Sequence, residues 1–221
     1  VWRAKRAGRR KEARPPPATS GGGTGRAHCP DRLLAAPIME WRVGGHRVFA
    51  STGGRELDPA LPTVIFVHGA ACDHSVWALI ARYFAHRGRN ALAIDLPGHG
   101  RTEGPALESV GAMTDWVLAA TGALSLNAAA WVGHSLGGLI ALDAAARRPE
   151  RVRALGLIAV SAPMGVNDEY LALADAGDHK AIDLLNDWAV SRQSHMGGNR
   201  MPGVWLIGSN TRLTERGAGV L

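Results

Sequence analysis

The sequence predicts an α/β fold in which a doubly wound, mostly parallel sheet carries helices on both faces. Residues 63–67, 90–95 and 128–132 are short, mainly apolar runs, of the kind that buried parallel strands show. Each run is followed by a stretch whose apolar residues recur at helical spacing. Because strands and helices alternate along the chain, the strands are expected to lie parallel, with helices crossing between them.

The first predicted element is a two-residue β-hairpin over residues 41–49, with the sequence WRVGGHRVF. Gly44 and Gly45 supply the positive φ values that such a turn requires. This hairpin is expected to form an antiparallel edge of the sheet.

The run at residues 63–67, TVIFV, is the next predicted strand, and it opens into a loop that begins His68-Gly69-Ala70. A helix is predicted after this loop. Its apolar face is expected to consist of Val76, Ile80, Tyr83 and Phe84, at helical spacing.

Residues 90–95, NALAID, are predicted to form the next strand, and residues 96–102 the loop that leaves it. A second helix is predicted beyond this loop, with its apolar face at Val110, Met113, Trp116, Val117 and Ala120.

The sequence Gly133-His134-Ser135-Leu136-Gly137 follows the strand predicted at residues 128–132 and leads into a third helix. A serine between two glycines at such a strand-to-helix turn is typical of a nucleophile elbow, in which the flanking positions lack room for a Cβ. The pattern predicts Ser135 as a nucleophile. An enzyme that catalyses acyl transfer must stabilise the oxyanion of the tetrahedral intermediate. The backbone N–H groups of Ala70 and Leu136 are the candidate hydrogen-bond donors to this oxyanion.

Four segments in this order resemble the core of the α/β-hydrolase fold family: VIFVHGAACDHSVW at 64–77, ALAIDLPGHGRT at 91–102, WVGHSLGGLIALDAAARRPERV at 131–152 and LGLIAVSAP at 155–163. The resemblance spans about residues 40 to 221. It implies a serine, an acid and a histidine in that chain order, with Asp95 in a structural role. On this basis the acid and the base are expected beyond Leu221. This chain is then a C-terminally truncated fragment, inactive by itself and prone to aggregate along its last strand.

The resemblance also divides the chain into residues 39–162, an α/β-hydrolase core, and residues 163–221, a helical cap. Apolar residues recur at helical spacing around Tyr170 and again around Leu184, and a strand signal returns only at 204–207. The cap is expected to act as a lid over the site or as a plain cover for apolar surface. Its histidines, His179 and His195, are expected to lie on solvated helix faces.

Residues 1–38 hold nine Lys or Arg against two acids, a net charge of +7 in a chain of +6, and they show no apolar periodicity. A disordered basic tail is predicted. Three interpretations remain open: an arm that binds nucleic acid or a membrane surface, a transit segment, or an untranslated leader upstream of Met39.

The function expected is that of a serine hydrolase that attacks a small ester, amide or lactone through an acyl-enzyme. The alternatives are a non-catalytic binding protein of the same fold, a carbon–carbon hydrolase, an acyltransferase or a perhydrolase. No metal or organic cofactor is predicted, and Cys72 is expected to be a packed thiol. The expected partner is a small-molecule substrate, with neither nucleic acid nor membrane, in a cytoplasmic protein. The oligomeric state is left open.

Overall fold

A computed structural model describes residues 38–126 and 128–189. Six strands form one sheet in the order β1-β2-β4-β3-β5-β6. They are β1 Ile38–Val43, β2 His46–Ser51, β3 Thr63–Val67, β4 Asn90–Ile94, β5 Ala129–His134 and β6 Val152–Ile158. The helices are α1 Ala78–Ala85, α2 Val110–Gly122, α3 Leu136–Arg147, α4 Asp168–Asp175 and α5 Lys180–Ala189.

The predicted hairpin is present as β1 and β2. Gly44 and Gly45 have φ values of +56° and +89°, which only glycine adopts without strain. Strand β2 pairs antiparallel with β4, and the β4-β3-β5-β6 part of the sheet is parallel throughout. The indole N–H of Trp41 donates to the carbonyl of Ala120 at 3.0 Å and fixes the hairpin against α2. The mixed sheet with an antiparallel edge is therefore confirmed.

Both faces of the sheet carry apolar side chains that are covered by helices, as a doubly wound fold requires. One face packs beneath α2 and α3 through a cluster that includes Leu92, Val117, Trp131 and Ile140. The other face packs beneath α1 through a smaller cluster that includes Phe66 and Trp77. Arg147 at the end of α3 pairs with Asp115 of α2 and with Asp143, and so ties the two helices of the first face together.

The predicted apolar face of α1 is wrong in part. The helix buries Ala81 and Ala85, with Trp77 just before it, while Ile80 and Tyr83 are 41% and 56% exposed. The reason is close packing: a Cβ added at Gly53 would lie 2.5 Å from the carbonyl oxygen of Ala81. Only small side chains fit where the helix approaches backbone so closely, and the larger ones turn outward.

Strand β6 is the outer strand of the described sheet, and its apolar side chains Leu155, Leu157 and Ile158 are 39%, 45% and 43% exposed. The two helices predicted after residue 163 are present as α4 and α5. Residues 1–37, 127 and 190–221 lie outside the described residues, so the predicted tail and the strand signal at 204–207 lie outside them too. The division at residues 38/39 and 162/163 stays a prediction.

Within residues 38–126 and 128–189, no helix is both long and apolar enough to cross a membrane.

Candidate active site

Ser135 stands at the junction between β5, which ends at His134, and α3, which begins at Leu136. Its backbone has φ 52° and ψ −121°, a conformation that a residue with a side chain adopts at a cost of about 1–3 kcal/mol. The Ser135 N–H donates to the carbonyl of Ile158 at 2.9 Å, and its own carbonyl accepts from the Gly138 N–H at 2.8 Å. The surrounding hydrogen bonds therefore hold a strained serine at the carboxyl end of the parallel strands.

The glycines on either side of Ser135 are required by close backbone contacts. A Cβ on Gly133 would collide with the backbone of Gly137, and a Cβ on Gly137 would collide with the carbonyl of Val67 at the end of β3. Neither obstacle is a flexible side chain that could move aside. The expectation that these flanking positions lack room for a Cβ is confirmed.

Gly138 was not predicted to be constrained, although a Cβ at this position would also collide with a neighbouring group. A Cβ on Gly138 would collide with the side chain of Val160, just beyond β6. The glycine pair at 137–138 in the printed sequence is the signal that could have found it.

Ala70 and Leu136, the two predicted oxyanion donors, lie in separate segments that meet at Ser135. Leu136 is the first residue of α3, where a backbone N–H has no acceptor within the helix. Ala70 lies in an exposed turn closed by the Cys72 N–H donating to the Gly69 carbonyl at 3.3 Å. Neither N–H donates to another group in the part of the chain that the structure describes. Both remain available to a bound oxygen.

Gly69 is the point where these two segments touch, and sequence reasoning did not assign it a role. A Cβ on Gly69 would lie 3.2 Å from the Cβ of Ser135 and 3.0 Å from Nδ1 of His134. The absence of a side chain at Gly69 therefore lets the Ala70 turn approach Ser135. The His-Gly pair after a buried strand was the available signal.

The buried side chain of His68 holds the start of the loop that contains Gly69 and Ala70 through hydrogen bonds to the backbone. Its side chain is fully buried, its Nδ1–H donates to the Gly69 carbonyl at 2.8 Å, and its Nε2 accepts from the Leu96 N–H at 3.1 Å. Burial lowers the pKa of His68 to about 4, so the ring is neutral near pH 7. In this tautomer the neutral ring donates to the Gly69 carbonyl and accepts from the Leu96 N–H. These two hydrogen bonds join the loop after β3 to the loop after β4.

Asp95, at the end of β4, is the second connection between these loops. Its carboxylate is fully buried and accepts from the His74 N–H at 2.6 Å and from the Arg101 N–H at 2.9 Å. Gly100 passes so close, with φ +55°, that a Cβ there would collide with the carboxylate. The structural role expected for Asp95 is consistent with these contacts.

The described residues contain no base for Ser135. Its hydroxyl makes no hydrogen bond to any residue between 38 and 189 that the structure describes. His134 and His99 are partly or fully buried, and burial lowers the pKa of each. His179 has a side chain 61% exposed beside Asp183 on α5, as expected for a solvated helix face. His195 lies outside the described residues.

Tyr170 is the buried residue of α4 and joins this helix to α5. Its side chain is only 8% exposed, and its ring packs against Trp188 of α5 with centroids 5.8 Å apart. Burial and the Cys72 thiol raise the pKa of Tyr170. Burial also raises the pKa of Cys72 to about 11, so this cysteine is a protonated, packed thiol near pH 7.

Among the described residues, no group of three or more His, Cys, Asp or Glu side chains is placed to hold a metal ion.

Comparisons with known proteins agree with this geometry. A family model described as the alpha/beta hydrolase fold matches residues 62–188, more than half of the chain. The enol-lactonase from Burkholderia xenovorans LB400 has a similar structure, with a TM-score of 0.67 at 20% identity over 82% of this chain and 70% of that one. Est816, described as an N-acyl homoserine lactone degrading enzyme, gives a TM-score of 0.66 at 23% identity, over 80% of this chain and 65% of that one.

Curated relatives match a shorter stretch. The pimeloyl-[acyl-carrier protein] methyl ester esterase of Serratia marcescens is 36% identical over 107 residues, which is 48% of this chain and 40% of the relative. A dihydrolipoyllysine-residue acetyltransferase component of an acetoin cleaving system from Pseudomonas putida is 37% identical over 112 residues, or 49% and 30%. The match thus covers less than half the length of each of these relatives. With its strained serine, its glycine contacts and the family model over residues 62–188, the chain belongs to the α/β-hydrolase fold family.

Proposed function

We propose that this chain carries the nucleophile and the oxyanion site of a serine hydrolase that cleaves a small carboxylic ester through an acyl-enzyme. The proposal depends on one observation: Ser135 lies where the segments of Ala70 and Leu136 come together, and the backbone N–H groups of these two residues have no acceptor among the described residues. Relatives named as methyl ester esterases support an ester, rather than an amide or a lactone, as the bond cleaved.

In the proposed reaction, Ser135 Oγ attacks the ester carbonyl and its proton passes to a base. The carbonyl oxygen becomes an oxyanion, and the Ala70 and Leu136 N–H groups donate to it as its charge develops. Collapse of this intermediate expels the alcohol, which takes up the proton, and leaves an acyl group on Ser135. Water then attacks the acyl group and releases the carboxylic acid.

The base belongs to a part of the protein outside the described residues. A serine hydroxyl is a weak nucleophile until a base accepts its proton, and no described histidine is hydrogen-bonded to the Ser135 hydroxyl. We therefore propose that the described part alone does not turn over an ester, whereas the product of the complete coding sequence does. A non-catalytic protein of this fold would have no need for the strain held at Ser135.

The test is hydrolysis of p-nitrophenyl acetate and of longer acyl esters by the product of the complete coding sequence. Ser135→Ala is expected to lower kcat/KM by at least about 10³-fold, because the acyl-enzyme can no longer form. Ser125→Ala is the matched control, since Ser125 also has positive φ (57°) but lies at the opposite end of β5. Equal turnover by wild type and Ser135→Ala would overturn the proposal.

A further inference from the structure

A cleft of about 770 Å³ opens at the edge of the sheet where the parallel strands begin. Thr63 and Asn90, the first residues of β3 and β4, line it. Ser135 follows the last residue of β5, at the other edge of the sheet. The cleft is therefore separate from the candidate active site.

The wall of this cleft is mainly apolar. Leu57, Leu61, Leu124, Leu126 and Met39 contribute to it, and its volume lies within the range of about 300–1,000 Å³ that small-molecule sites occupy. An aliphatic chain would remove these side chains from water.

The buried polar residues in the wall, Thr63 and Asn90, are already hydrogen-bonded within the protein. Asn90 donates through Nδ2 to the carbonyls of Asp58 and Leu61 at 2.7 and 3.1 Å, and its Oδ1 accepts from the Asp58 N–H at 2.9 Å. Asn90 thus shapes the wall by holding the 58–61 turn and leaves polar recognition to another residue.

That residue is Arg153, which lines the cleft from β6. Val152 pairs with Ala129 and Ala154 pairs with Ala130, so Arg153 is the extra residue of a β-bulge. A bulge re-aims the side chain that it carries. The Arg153 side chain is exposed, and across residues 38–126 and 128–189 its guanidinium has no ion pair and no hydrogen-bond partner. A bulge therefore presents an unpaired guanidinium at an apolar cleft.

We propose that this cleft binds an amphipathic anion, a medium-chain aliphatic carboxylate. The alkyl chain lies against the leucines, and the carboxylate pairs with Arg153, whose planar fork matches two carboxylate oxygens. A single cation favours a ligand with a single negative charge. The proposal is independent of the catalytic role of Ser135.

The first experiment titrates the protein with dodecanoate and with dodecan-1-ol by calorimetry. Wild type binds dodecanoate more tightly than the alcohol. Arg153→Gln weakens dodecanoate binding about three- to tenfold and leaves binding of the alcohol unchanged. The lower figure is the loss of affinity expected for an exposed ion pair, and the higher figure is that for a bidentate, charge-assisted pair. Arg148→Gln removes an exposed arginine outside the cleft and is the matched control. A loss below threefold for Arg153→Gln, or an equal loss for Arg148→Gln, overturns the proposal.

The second experiment locates the ligand with no substitution at all. A dodecanoate analogue with a diazirine at its chain end is photolysed on wild-type protein, and the labelled peptides are sequenced. Labels within 57–62 and 124–128 support the proposal. Labels confined to 69–77 and 134–139 show binding at the candidate active site instead, and absence of binding at millimolar ligand also overturns the proposal.

Discussion

The carboxylate of Asp95 accepts hydrogen bonds from both the backbone N–H and the Nδ1 of His74, at 2.6 Å and 2.9–3.0 Å. Asp95 follows β4, and His74 lies beyond β3 in the same segment as the Ala70 turn. One buried carboxylate therefore sets the position of this segment relative to the neighbouring strand. The ring of His74 packs on Phe49 with centroids 4.7 Å apart, which completes the support.

Asp95→Asn is expected to destabilise the protein by about 2–4 kcal/mol. An amide in this place turns an N–H toward the donors of His74 and Arg101, and a buried donor without an acceptor is costly. Urea unfolding measures the loss. Asp58→Asn is the control: the Asp58 side chain accepts only from the Ala60 N–H in an exposed turn, and this substitution should cost less than about 1 kcal/mol. Equal costs for the two variants would contradict the assigned role of Asp95.

Gly69→Ala is expected to slow acylation while the fold survives. The new Cβ would lie too close to Ser135 and His134, so these residues would have to shift by a few tenths of an ångström. This shift would move Ser135 relative to the proposed oxyanion donors. A displacement of that kind lowers kcat about 10- to 100-fold. Pre-steady-state release of p-nitrophenol by the product of the complete coding sequence measures it.

The control for this variant is Gly111→Ala, since Gly111 lies in α2 and its nearest neighbour to a new Cβ is 4.0 Å away. That substitution should leave acylation unchanged and stabilise the helix by about 0.5–1 kcal/mol. If Gly69→Ala acylates at the wild-type rate, the approach of the Ala70 turn to Ser135 is not required.

The protein should lose stability in mild acid because of His68. In the unfolded chain its pKa returns to about 6.5, whereas burial holds it at about 4 in the fold. Between these values only the unfolded chain binds the proton, so stability is complete above pH 6.5 and falls toward pH 4. The loss attributable to His68 between pH 7.5 and pH 5 is about 2 kcal/mol.

Urea midpoints at several pH values measure this loss for wild type, His68→Gln and His46→Gln. His68→Gln should show a shallower pH dependence, although His99 and His134, whose pKa values burial also lowers, retain part of it. His46 is exposed, so His46→Gln is the control for replacing a surface histidine. An unchanged slope in His68→Gln would argue against a neutral buried ring at this position.

Strand β6 should make the chain self-associate, because an outer strand with exposed apolar side chains can pair with another molecule. Leu157→Lys places a charge on this strand at a side chain that is already 45% exposed. Sedimentation velocity should show less association for this variant, with an unfolding free energy within about 0.5 kcal/mol of wild type. Leu171→Lys, at a similarly exposed leucine of α4, should not reduce association. Equal association in all three proteins would show that β6 is not the surface involved.

Much of the fold and part of the site could be predicted because they depend on local patterns. The hairpin follows from Gly44-Gly45, and the elbow follows from glycines that flank Ser135 at the end of an apolar strand. The inner face of α1 could not be predicted from apolar spacing, because the backbone near Gly53 admits only small side chains beneath this helix. The bulge at Arg153 also escaped prediction, since it depends on the register between β5 and β6.

The central claim is that Ser135 is the nucleophile of a serine hydrolase, and covalent trapping tests it most directly. The product of the complete coding sequence is treated with a fluorophosphonate, and the modified residue is identified by tandem mass spectrometry. The proposed mechanism predicts a single adduct on Ser135, unaffected by Ser125→Ala and absent after Ser135→Ala. A wild-type protein that stays unmodified, or an adduct that persists in Ser135→Ala, would contradict it.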